Sequence, residues 1–125
     1  MNTSLTRTRI RNAINKKRII VVKHIKEEEV LPTETRLIPL DIVEEIRGIA
    51  KNQAYLIGFR VDIIPSGLIQ ETDFRRFPIE AINEIRITSR VFDPEEPVRI
   101  YRMMKRSPTV AWMIQRNWNK DSKAE

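Results

Sequence analysis

The side chains of this chain best equipped for chemistry are arginines set beside aromatic and apolar residues. Arg75 and Arg76 lead into Phe77 in RRFPIEAINEI (75–85), Arg60 closes AYLIGFR (54–60), and Arg36 opens RLIPL (36–40). A guanidinium is a planar fork of N–H donors that fits phosphate or carboxylate oxygens two at a time. The chemistry these residues point to is capture of an anion. Strand alternation puts Arg75 on the face of Phe77 and Ile79, where it either reaches the mouth of a sheet or pairs with an acid. Arg60 faces the same choice, because Asp62 is an equally natural partner. His24, the only histidine, lies in the apolar run IIVVKHIK (19–26) and is read either as a satisfied buried residue or as a ligand contact.

Raw material for catalysis is scarce. With one histidine and no cysteine, triads, dyads and zinc sites lack members. Glu44 and Glu45 alternate across a strand, and the acidic run at 27–29 falls in a loop, where a solvated role is expected. Gly48, Gly58 and Gly67 are the only glycines and make no phosphate loop. Neither an enzyme, a metal site nor a cofactor is expected.

The elements that must position the arginines read mainly as strands. Ser4 and Thr6 can each cap a first helix, with Ile10, Ala13 and Ile14 on its apolar face and Arg7 and Arg11 opposite. Residues 18–26 read as a strand covered on both faces, followed by a polar loop, KEEEVLPTET (26–35). Residues 36–50 fit a helix through Leu40, Val43, Ile46 and Ala50, or a strand through Ile38, Leu40 and Ile42; strand is preferred for Arg36–Glu45. Lys51 and Asn52 then supply the turn into AYLIGFRVDI, whose Tyr55, Ile57, Phe59 and Val61 form a core face. Gly58 permits a sharp bend or a close backbone approach.

PSGLIQETD (65–73) is the clearest turn and separates that strand from FRRFPI. A short helical turn offering Ile79, Ile82 and Ile85 leads to a last strand, Arg86–Phe92. After DPEEP (93–97) the chain reads as two helices or one kinked helix, with Ser107 and Pro108 as a cap and first position. Ile100, Met103, Met104, Val110, Ala111, Ile114 and Trp118 share one stripe of that helix. Tyr101, Lys105, Trp112 and Arg116 gather beside it, a mixture of aromatics and cations suited to a homodimer interface or to base stacking.

The 125 residues make one domain with a net charge of +6. Residues 1–26 hold eight Lys or Arg and no acid, 27–98 hold eight against fifteen acids, and 99–125 hold seven against two. Basic ends around an acidic middle suit an anionic partner such as nucleic acid, head-to-middle pairing of subunits, or an ordinary solvated surface. No apolar run approaches the ~18 residues of a membrane span. With no cysteine and no signal-peptide pattern, a cytoplasmic protein is expected.

The order of these motifs over residues 8–93 resembles the WYL-domain family. Ala54, Tyr55 and Leu56 stand at the tripeptide that names the family, ahead of Ile57, Gly58 and Phe59. Pro39 matches a proline of the preceding strand, and Arg75 to Ile82 resemble the later Arg-x-Phe-x-Leu-Asp-Arg-Ile signature. Arg75 keeps the first signature arginine, Arg36 stands at a basic position, and His24 replaces a tyrosine. Ala54 replaces the tryptophan, and Ala81 replaces the second arginine, which removes a bidentate anion clamp.

The resemblance implies a small SH3-like or Sm-like β-barrel, mainly β with flanking helices (α+β), used by regulators that sense nucleotides or nucleic acids. Residues 1–93 would form the N-terminal helix and barrel, and 94–125 a C-terminal helical extension of the same unit. Arg75, with Arg36, Arg60, Arg76 and His24, would bind a single-stranded nucleic acid or nucleotide. Such a homodimeric, non-enzymatic module would serve transcription or phage-defence regulation, alone or with a partner regulatory protein. The alternative is a degenerate barrel acting as an oligomerisation or adaptor protein, which Ala81 and Ala54 favour.

Overall fold

A helix at each end brackets an antiparallel sheet. The computed structural model describes residues 3–25, 31–47, 51–116 and 118. In chain order these give α1 (Thr3–Asn15), β1 (Arg18–His24), β2 (Thr33–Arg47), β3 (Lys51–Ile63), β4 (Ile69–Pro78), a 3-10 turn (Ile79–Ala81), β5 (Ile82–Val91) and α2 (Glu95–Lys105). The strand order is β4-β3-β2-β1-β5.

Helix α1 forms because Thr6, Ile10, Ala13 and Ile14 recur on one face, and all four are buried. Burying its two isoleucines contributes roughly 3–6 kcal/mol, which anchors a 13-residue helix that would be marginal alone. Ser4 and Thr6 lie inside the helix rather than ahead of it, and Thr6 joins the core. Lys17, at φ 56°, turns the chain into β1.

Residues 36–47 resolve as strand, with apolar side chains buried on both faces at Leu37, Ile38, Leu40 and Ile42. The strand begins earlier than expected, because Thr33, Glu34 and Thr35 pair with His24, Lys23 and Val22 of β1. Residues 26–30 of the expected loop lie outside the described residues. The β2–β3 ladder runs to Arg47 opposite Lys51, so Lys51 and Asn52 belong to β3, and the connection is residues 48–50, also outside the described residues. Likewise residues 69–73 belong to β4, which shortens the turn to 64–68, where Gly67 adopts φ 92° and its N–H bonds the Ile64 carbonyl.

Between Pro39 and Asp41 the β2–β3 register shifts, leaving Leu40 as the extra residue of a bulge. A proline is tolerated there because the ladder is already interrupted. Gly58 stands opposite Pro39, and a Cβ on it would strike the Ile38 carbonyl oxygen. The close approach expected at this glycine is therefore real.

The sheet must curl. Laid flat, its outer strands would sit about 19 Å apart, four spacings of ~4.8 Å, whereas the four steps from Pro78 to Ile82 span at most about 14 Å. Ile79, Ile82 and Ile85 are buried at this junction. At the other end the Arg90 guanidinium bonds the Gly67 carbonyl, tying the end of β5 to the β3–β4 turn. The curl stops short of closure: no ladder joins β4 to β5 among the described residues, so the sheet is open rather than a closed barrel. Pro78, which lacks an N–H, ends β4 where the 3-10 turn begins.

Of the expected helix pair or kinked helix, only α2 forms among the described residues, and it stops at Lys105. Arg106 takes a left-handed conformation (φ 56°, ψ 44°), the Ser107 N–H bonds the Arg102 carbonyl, and Pro108 cannot continue the helix. Ser107 uses its hydroxyl in a local turn with Thr109 instead of capping a second helix. The expected stripe breaks accordingly: Met103, Met104 and Ala111 are exposed, whereas Ile114 and Trp118 are buried by an irregular segment that returns after the helix.

Candidate anion-binding groove

Four of the five expected ligand residues, drawn from four strands, line one groove of about 340 Å³. His24 comes from β1, Arg36 from β2, Arg60 from β3 and Arg75 from β4. Thr33, Glu34, Thr35, Val61 and Asp62 complete it. The β2–β3 register sets Leu37 opposite Arg60, and the β3–β4 register sets Gly58 opposite Arg75 and Arg60 opposite Asp73. Strand pairing thus gathers cations that lie up to 39 positions apart in the chain (Arg36 to Arg75).

His24 is buried, its Nε2 3.1 Å from the Thr35 hydroxyl oxygen and its ring centroid 4.7 Å from that of Phe77. It is hydrogen-bonded within the core and also forms part of the groove wall. Arg36 is exposed and makes no ion pair among the described residues.

Arg60 and Arg75 converge on one carboxylate. Arg60 Nε donates to Asp73 Oδ1 at 2.8 Å and Arg75 Nε to Asp73 Oδ2 at 2.6 Å, while the Thr72 hydroxyl donates to Oδ1 at 2.7 Å. Arg60 also lies 3.7 Å from Asp62. Donation from Thr72, then from Arg60 and Arg75, pushes the Asp73 carboxyl down to about 2, so it is ionised at any ordinary pH. The same hydrogen bond raises the Arg60 guanidinium above its usual value. All three charged side chains are over a third exposed, so these pairs are screened and exchangeable rather than locked.

Arg76 does not join the groove. Neighbouring strand residues point to opposite faces, and its guanidinium carbon lies 4.2 Å from the Tyr55 ring centroid. Asp73 escaped the sequence reading, although the period of two places it on the face of Arg75. Its contact with Arg60 depends on the register shift between Arg60 and Val61, which leaves no sequence signal.

The aromatic and cationic quartet of the C-terminal segment is also brought together, but inside the chain. Tyr101 stacks between Phe74 (5.9 Å) and Trp112 (6.0 Å), with Lys105 5.6 Å from its ring. Arg116 lies 3.9 Å from the Trp112 centroid and 4.5 Å from that of Trp118. Behind the column sits a feature the sequence reading missed, the buried Asp41 of the β2 bulge. Its Oδ2 accepts the Met113 N–H and its Oδ1 the Ile114 N–H, both at 2.9 Å, and Oδ1 lies 3.3 Å from Arg116. Burial pushes the Arg116 guanidinium down to about 10 against the opposing pull of Asp41. Trp118 Nε1 donates to the Ile14 carbonyl at 2.7 Å, fastening the segment to α1.

Among the described residues no group of three or more His, Asp or Glu is placed to hold a metal, and no helix is long and apolar enough to cross a membrane. Fold and groove together define a curled antiparallel-sheet domain with an arginine-lined surface site. No family model, curated protein or solved structure matches the chain.

Proposed function

We propose that this chain is a non-enzymatic regulatory module, a divergent WYL-like domain, that binds single-stranded nucleic acid or a nucleotide in the groove of Arg36, Arg60, Arg75 and His24. One observation carries the reading: three arginines from three strands converge on a single groove, two of them already holding a carboxylate as they would hold a ligand anion. Regulation of transcription or of phage defence is the setting that the motif order suggests. Binding of single-stranded DNA or RNA should weaken steeply with salt, because each neutralised phosphate releases a counterion. Arg75→Ala should weaken binding about tenfold, a loss on the scale of one charged hydrogen-bond pair. Anisotropy titrations across a salt series measure both, and absence of binding at low salt ends the proposal.

A second reading, an oligomerising adaptor, draws on one observation. Met103 and Met104 of α2 stand 64% and 49% exposed, an apolar pair suited to a partner surface. It requires a multimeric mass by light scattering together with no nucleic-acid binding.

A further inference from the structure

We propose that the groove selects a phosphate monoester, the terminal phosphate of a nucleotide or of a strand end, over the internal phosphodiesters of a strand. The inference rests on the groove being an anion site, and it concerns what Asp73 does there. Any anion that takes up Arg60 and Arg75 competes with the Asp73 carboxylate, which already receives Nε from both. A phosphodiester brings one negative charge and two free oxygens, the same as a carboxylate, so the exchange gains nothing. A monoester brings nearly two charges and three acceptor oxygens. The additional charge finds a third guanidinium in Arg36, which lines the groove without an acidic partner among the described residues.

The walls point the same way. Glu34 and Asp62 line the groove beside the arginines, so phosphates continuing past the cations meet negative charge. The volume, about 340 Å³, lies at the small end of the range for small-molecule sites. Both features fit one phosphate and what is attached to it better than a strand passing through.

The test compares short oligothymidylates with and without a 5′-phosphate, titrated into the full chain at one salt concentration, with thymidine 5′-monophosphate as competitor. The wild type should bind the phosphorylated strand about tenfold more tightly. Asp73→Asn should narrow that gap by tightening the unphosphorylated strand. Displacement by the monophosphate identifies the free nucleotide as sufficient, whereas failure to displace assigns the site to strand ends; either result sustains the monoester. Equal affinity for the two strands in the wild type overturns the selection and leaves the anion groove standing. Binding of neither strand overturns both. The wild-type comparison decides the matter even if Asp73→Asn fails to fold.

Discussion

Asp41→Ala should destabilise the fold by about 3–5 kcal/mol, the usual cost of removing one member of a buried ion pair. Side-chain exposure is 3% at Asp41 and 4% at Arg116, so solvent cannot replace what is lost. The substitution removes the acid partner of the Arg116 guanidinium, whose NH1 lacks a hydrogen-bond partner among the described residues, and strands the N–H groups of Met113 and Ile114. Against a typical total stability of about 5–15 kcal/mol, this leaves the variant close to unfolding. Pairing it with Arg116→Met should recover part of the loss, because the stranded charge then goes as well. Urea denaturation of the single and double variants measures both effects. A loss below about 1 kcal/mol for Asp41→Ala, the scale of a surface pair, would contradict the buried geometry.

Gly58→Ala should cost on the order of 3 kcal/mol or more. The added methyl lands on the Ile38 carbonyl oxygen and within 3.0 Å of Leu37 Cγ, and a backbone carbonyl held in a ladder cannot move aside as a flexible side chain can. Either β2 and β3 part at the bulge or Leu37 leaves its place in the core. Because Gly58 faces Arg75 across the β3–β4 ladder, the distortion should also disturb the groove. Thermal melting and oligonucleotide binding should therefore fall together. An alanine variant that melts with the wild type would mean that the two strands do not approach this closely.

The faces of the strands were legible from residue order, because a period of two sorts Tyr55, Ile57, Phe59 and Val61 from their neighbours whatever the tertiary structure. The same period put Arg75 with Phe77 and would have put Asp73 with both. Register was not legible. The Arg60–Asp73 contact depends on one extra residue in β4, and the Asp41 site on one extra residue in β2, and neither insertion has a compositional mark.

The C-terminal segment misled for a different reason. Its apolar residues fit a helical stripe, but Arg106 in a left-handed turn and Pro108 stop the helix, and Asp41 captures the backbone beyond it. Tyr101, Lys105, Trp112 and Arg116 still meet, brought together by the return of the chain rather than by helical spacing. Pro108 just past a helical run was the available warning, since proline there marks an end as readily as a beginning.

If the arginines of one groove receive the ligand, their side-chain Nε–Hε resonances report on it directly. On titration with a 5′-phosphorylated oligothymidylate, the signals of Arg36, Arg60 and Arg75 should move together and saturate at one affinity, with Arg76 and Arg90 little changed. Movement confined to arginines outside the groove, or none under conditions where the strand binds, would contradict the account.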